Sequence, residues 1–160
     1  MKKRLWEYDE IDELKKLHKD KTIVLAGGCF DVIHYGHHSF IKHAKEKGDS
    51  LIIALESDEF INKRKKRKPV HSQLQRAELL LAHESVDHVL LLPFFENDED
   101  YKNLMIQLAP EVVAVTEGDP QIENKRKFAS LVNGEVVIVS HVISGFSTTQ
   151  IVNYETISRD

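Results

Sequence analysis

Thr22-Ile23-Val24-Leu25-Ala26-Gly27-Gly28-Cys29-Phe30-Asp31-Val32-Ile33-His34-Tyr35-Gly36-His37-His38 is the stretch that decides the reading of this 160-residue chain. Thr22–Ala26 is a short, unbroken apolar run of the kind a strand covered on both faces requires. Two glycines follow, and glycine lets backbone N–H groups come close to an anion. A helical pattern then begins near His37, aiming its free N–H groups and the positive end of its dipole at the same place. Strand, glycine turn and helix start together predict a phosphate pocket. The imidazoles of His34 and His37, separated only by Tyr35-Gly36, can both face a phosphate and donate to oxygens on which charge builds during a displacement. Gly36 permits the close approach.

Working outward, the runs Leu51–Leu55, Val86–Leu92, Val112–Val115 and Val136–Val139 repeat the strand signal. Between them, His37–Glu46, Leu74–Ala82, Tyr101–Leu108 and Glu123–Leu131 have the length and charge mix of amphipathic helices, and Ser72-Gln-Leu-Gln75 reads as a capping box. Alternation of this size implies right-handed crossovers. The expected fold is α/β: a doubly wound, Rossmann-like, parallel five-stranded sheet with helices on both faces and ligands beyond the carboxyl ends of its strands. Residues 1–160 read as one domain. Ile11, Leu14 and Leu17 recur at helical spacing, so residues 1–20 are expected to be an N-terminal helical extension that packs on the domain.

Composition narrows the function classes. Lys+Arg 22 against Asp+Glu 26 gives a net charge of −4, and 41% hydrophobic with 30% charged residues excludes a disordered chain. Cys29 is the single cysteine, so no intramolecular disulfide exists, and the start MKKRLWEYDEIDEL lacks the apolar stretch of a secretory signal. A reducing, cytoplasmic location is expected. The longest stretch without formal charge, Val136–Tyr154, is interrupted throughout by Ser, His, Thr, Gln and Asn and is not expected to cross a membrane. Acidic balance argues against coating nucleic acid, with Lys63–Lys68 as a local basic exception. Two rivals come from other classes: a metal-binding module on His34, His37, His38 and His43, which lacks cysteine and carboxylate partners at zinc spacing, and a nucleic-acid binder using the basic run.

Gly28, Phe30, Asp31, His34, Gly36 and His37 match Gly-x-Phe-Asp-x-x-His-x-Gly-His, and on these residues the chain resembles the cytidylyltransferase-like nucleotidyltransferases. Their second signature appears as Gly145-Phe146-Ser147-Thr148-Thr149-Gln150-Ile151, and the resemblance spans roughly residues 20 to 157. Ser147 is a good N-cap, and the hydroxyls and N–H groups of Ser147, Thr148 and Thr149 at a helix start would hold the β and γ phosphates of a nucleotide; a simple helix cap is the plainer alternative. The resemblance implies catalytic roles for His34, His37 and Lys65. It implies nucleotide contacts at Gly28, Cys29, Phe30, Asp31, Gly36 and Lys66, with Lys65 and Lys66 closing over the triphosphate. Asp31 has an alternative role in orienting a histidine or the helix start. Cys29 is a chemical bystander, having no resolving partner. Arg76 either binds the acceptor's phosphate or pairs with Glu78 or Asp58. Gly118 and Asp119 fit base or ribose contact, or an ordinary Gly-Asp-Pro turn.

Within the family, the Gly-Cys-Phe-Asp wording, Arg67–Val70 and Asn133–Val137 look most like the heptose 1-phosphate adenylyltransferase domain. Val142 stands where the glycerol-3-phosphate cytidylyltransferases carry arginine, and Thr116-Glu117-Gly118-Asp119-Pro120 stands where the heptose group reads Lys-Gly-Gly-Asp-Tyr. An FMN adenylyltransferase therefore stays open. The reaction implied is in-line attack of an acceptor phosphate on the α-phosphorus of a nucleoside triphosphate, with pyrophosphate leaving, and a degenerate enzyme that only binds nucleotide is the remaining alternative. Mg2+ is expected on the triphosphate, held by substrate oxygens and water. The partners implied are the nucleotide and a phosphorylated small acceptor, with no nucleic acid and no membrane; a homodimer stays open.

Overall fold

The computed structural model describes residues 2–141 and 147–157. Six strands form its sheet: β1 (Leu5–Glu7), β2 (Ile23–Gly28), β3 (Ser50–Leu55), β4 (His88–Leu91), β5 (Val112–Thr116) and β6 (Glu135–Ser140). Seven helices accompany them: α1 (Ile11–Lys16), α2 (Tyr35–Lys45), α3 (Asp58–Arg64), α4 (Gln73–Leu81), α5 (Asp98–Leu108), α6 (Ile122–Ser130) and α7 (Thr148–Ile157). The strand order is β1-β4-β3-β2-β5-β6 and every pairing is parallel. From β2 the chain moves one way to β3 and β4, then returns to the other side for β5 and β6. That reversal opens a crevice above the carboxyl ends of β2 and β5, where doubly wound sheets bind ligands.

Apolar runs become central strands because both of their faces are covered. In β3, Leu51, Ile53 and Leu55 pack with Phe40, Ile41, Ala77 and Leu80 from α2 and α4. Ile52 and Ala54 point the other way, into a second cluster with Leu14, Leu104, Leu108 and Phe128 from α1, α5 and α6. The side-chain period of two thus feeds two cores from one strand. Local signals fix the helix starts: the Ser72 side chain accepts the Gln75 N–H while Gln75 answers at the Ser72 N–H, as the capping box predicts. No helix among the described residues is long and apolar enough to cross a membrane.

Two features differ from the sequence expectation. The sheet has six strands rather than five, because the N-terminal segment is not wholly helical: Leu5–Glu7 adds an edge strand beside β4 before α1 begins. Trp6 anchors it, buried and donating through Nε1 to His88 Nδ1 at 3.0 Å. Three residues carry too little alternation to announce a strand. The second is α3, whose start is capped by Ser57 Oγ accepting the Phe60 N–H, and whose last turn takes in Lys63 and Arg64 from the basic run.

Candidate active site

At the end of β2 the backbone turns on Gly28, where a Cβ would come within 2.9 Å of the Phe30 ring. Phe30 itself adopts φ +47°, an unusual conformation for a side-chain-bearing residue. Its buried ring fills the space that glycine leaves and supports His37, with ring centroids 5.0 Å apart. The motif's glycine and aromatic residue are therefore one packing unit beneath the second histidine.

His34 is the residue preceding α2, in extended conformation, and His37 lies in the first turn. Their rings stack at 3.9 Å with an interplanar angle of 22°. Neither Nδ1 has a hydrogen-bond partner, although both atoms are buried. Burial pushes the His34 pKa below its ordinary value. Burial, joined by the neighbouring His34, takes His37 down to about 4, and the Val32 backbone, acting in the opposite sense, does not offset them. Two neutral imidazoles with unspent polar atoms thus stand at a helix N-terminus, where incoming phosphate charge would find donors.

A cleft of about 420 Å³ opens here, within the range of small-ligand sites. Gly28, Cys29, Phe30, His34, Gly36 and His37 line it on the β2–α2 side. Gly118 and Asp119, after β5, line it with Ser147 and Thr148 at the start of α7. Ser147 caps that helix by accepting the Gln150 N–H at 3.1 Å. The two signatures, more than a hundred residues apart in sequence, converge on one cavity. Gly118 has φ +77°, which favours glycine, and nothing lies within 4 Å of the position a Cβ would take. Val142, Gly145 and Phe146, on which the family comparison also drew, lie outside the described residues.

Other expected site residues are placed elsewhere. Asp31 is buried, and its carboxylate accepts the Val70 N–H at 2.9 Å and the His71 N–H at 3.0 Å and pairs with Arg67. Burial pushes its pKa up, but the His71 N–H, Arg67 and the Val70 N–H outweigh that and hold the carboxyl below the ordinary range. Asp31 is thus a latch between the histidine turn and the basic run rather than a nucleotide contact. Arg76 is corrected more strongly. Its side chain has no exposed surface and donates to the backbone carbonyls of Cys29, Glu56 and His71 while pairing with Asp58 at 2.7 Å. A guanidinium spent in this way ties loops together and is not available to an acceptor phosphate. Thr149 is exposed and does not line the cleft.

Lys65 and Lys66 are also outside the lining. Both are exposed and, among the described residues, form no ion pair, whereas Lys63 pairs with Glu59, Arg64 donates to the Glu96 carbonyl and Arg67 holds Asp31. Lys65 ends α3, and Lys66 has φ +54°. The charge of Lys65 is nevertheless felt at Cys29 and at Glu56. Burial pushes the Cys29 thiol up to about 11, with Glu56 adding to the rise, so it is no nucleophile at neutral pH.

Sequence reasoning missed two charged residues. Glu56, just past β3, is buried; its Oε1 accepts from the Tyr101 hydroxyl at 2.8 Å and its Oε2 has no partner. Lys125, in α6, lines the cleft and pairs with Asp119 at 2.5 Å. Thr116–Pro120 itself carries no Lys or Arg, and Lys125 stands six residues beyond Asp119, in α6.

The cytidylyltransferase-like family model matches residues 25–154. The chain belongs to that family. As a cytidylyltransferase-like nucleotidyltransferase, it is 37% identical over 149 residues to the bifunctional protein HldE of Nitratiruptor sp., covering 91% of this chain and 30% of that protein. The chain thus spans less than a third of the length of such bifunctional relatives. It is 41% identical over 120 residues to the FAD synthase of Pyrococcus horikoshii, covering 73% of this chain and 79% of the relative. The crystal structure of the lipopolysaccharide core biosynthesis protein from Thermoplasma volcanium shares the fold, with a TM-score of 0.61 at 21% identity over 77% of this chain and 97% of that one.

Proposed function

We propose that this nucleotidyltransferase moves an AMP group from ATP to a phosphorylated small-molecule acceptor, releasing pyrophosphate. The observation that carries this reading is the convergence of the stacked His34–His37 pair and the Ser147–Thr148 helix start on one cleft at the sheet's reversal point. Phosphoryl-type transfer asks for alignment and charge neutralisation more than for a covalent nucleophile. In this reading His34 and His37 donate to α-phosphate oxygens as charge builds, and Ser147 and Thr148 hold the departing β and γ phosphates. Lys65 and Lys66 come down over the triphosphate from the exposed run, which Asp31 and Arg67 fasten to the histidine turn.

No three ligating side chains gather as a metal site among the described residues. A magnesium ion here would be held by phosphate oxygens and water, neutralising part of the triphosphate charge, which suits its preference for oxygen ligands and retained waters. Adenylyl transfer is favoured over cytidylyl transfer by the similarity to HldE and to FAD synthase. FMN and heptose 1-phosphate are the two acceptors to try first. The deciding experiment incubates the protein with Mg2+, ATP or CTP, and each of FMN, heptose 1-phosphate and glycerol 3-phosphate, reading pyrophosphate release. ATP-dependent release with one of the first two acceptors is expected. Release only with CTP and glycerol 3-phosphate would move the assignment to a cytidylyltransferase, and none with any pair would refute transfer.

A further inference from the structure

Lys125 is the one Lys or Arg side chain among the described residues that line the cleft. It emerges from the middle of α6 and its Nζ sits 2.5 Å from Asp119 Oδ2, both side chains being mostly covered. Asp119 Oδ1 accepts the Gln121 N–H at 2.8 Å, so this carboxylate is held in place by its own loop as well as by the lysine. Its charge also favours the ionised form of the buried Glu56, just past β3, against the effect of burial. Lys125 therefore shares one cleft with Gly28 and Cys29 at the end of β2, with the His34–His37 pair and with Asp119 after β5. An acceptor phosphate that attacks an α-phosphate held at the His34–His37 pair must enter this same cleft. The other cations are disposed differently: Arg76 is fully buried and committed, and Lys65 and Lys66 lie on the exposed run.

Building on the nucleotidyl-transfer reading, we infer that Lys125 is the cation that receives the acceptor's phosphate beside the α-phosphate, exchanging Asp119 for substrate and freeing Asp119 to accept from ribose hydroxyls. An acceptor phosphate oxygen forms the new bond to the α-phosphorus while the bond to the α–β bridging oxygen breaks. The electron pair leaves with pyrophosphate, and no proton has to move. Two anionic phosphates repel each other during that approach, and a compact ammonium with three donors on a flexible stem can bridge them. The Asp119 pair holds the lysine at the wall of the cleft.

The test compares wild type with Lys125→Met and Lys125→Arg, using pyrophosphate release with ATP, Mg2+ and FMN or heptose 1-phosphate. Nucleotide affinity is measured separately by calorimetry with α,β-methylene ATP. Lys125→Met should lower kcat/KM for the acceptor about 10- to 100-fold, the range for loss of one charge-assisted hydrogen bond, with acceptor KM raised and nucleotide affinity kept. Lys125→Arg keeps the charge and should recover part of the loss; it also decides the matter if the methionine variant melts early. Unchanged acceptor kinetics in Lys125→Met, or a loss confined to nucleotide affinity, overturns the assignment. A wild type that binds the analogue but releases no pyrophosphate with any acceptor overturns the transfer reading itself, and this role with it.

Discussion

Replacing Glu56 with Gln should leave stability almost unchanged below about pH 4.5 and stabilise the protein increasingly as pH rises from there to about 7. Burial is the main cause that raises the Glu56 pKa from its ordinary 4.5 to about 7, against the Tyr101 hydroxyl and the charges of Lys125, Arg76 and Lys65, which favour the ionised form. Between those two pH values the unfolded chain has lost the proton and the folded protein still holds it, so stability falls as pH rises. At about 1.4 kcal/mol for each pH unit, the penalty present at pH 8 is about 3 kcal/mol. Glutamine has the shape of the protonated acid and keeps an oxygen for the Tyr101 hydroxyl, so it evades that penalty. For a domain of this size the gain at pH 8 corresponds to a rise in Tm of roughly 6–10 °C. Urea titrations of both proteins from pH 4.5 to 8.5 measure the difference directly, because every other titrating group contributes equally to both. Parallel stability profiles across that range would refute the buried, protonated Glu56.

Three further variants test the site's geometry. Removing the imidazole in His37→Ala should cut turnover at least ~100-fold, as loss of an oxyanion donor does. The same variant should lose less stability than wild type as pH falls from 6.5 towards 4, because only wild type carries a folded-state imidazole that resists protonation over that window. Changing Lys65 and Lys66 together to Ala should raise the nucleotide KM while leaving the urea midpoint at pH 7 unchanged, since both side chains are exposed; an unaltered KM would show that the run is only solvated. Asp31→Asn strips the buried partner from Arg67 and should cost about 2–3 kcal/mol at pH 7 by urea unfolding. Because Lys65 and Lys66 share the loop that Asp31 fastens, a raised nucleotide KM should accompany that loss.

What could be read in advance was whatever chemistry requires of residues close together in sequence. A strand ending in Gly27-Gly28, followed by His34 and His37 at a helix start, is a local requirement for gripping phosphate, and the structure keeps it local. The doubly wound order was legible for a similar reason, since strands buried on both faces must be apolar throughout. β1 was hidden because its three residues owe their conformation to the edge of β4 and the Trp6–His88 bond, 82 positions apart. Arg76 illustrates the limit from the other direction: pairing with Asp58 was one of its two readings, but only the fold shows three backbone carbonyls closing around the guanidinium.

Those long-range charges also explain how the site is held. Asp31, Glu56 and Arg76 are each nearly or wholly buried, and each joins chain segments that meet only at the carboxyl ends of the strands. Asp31 ties the histidine turn to the basic run, Arg76 ties the end of β2 to the start of α3 and the approach to α4, and Glu56 ties β3 to Tyr101 on α5. A buried polar or charged group costs several kcal/mol unless it is partnered, so these contacts leave few alternative arrangements for the loops that bear them. The cations expected to move, Lys65, Lys66 and Lys125, are not fully buried: the first two are exposed and the third is held only by a carboxylate that substrate can replace. Rigid, buried ionisable groups would then fix the histidine pair, while accessible cations follow the phosphates. Lys125→Met and Asp31→Asn should therefore separate cleanly, the first lowering acceptor turnover at normal stability and the second lowering stability itself.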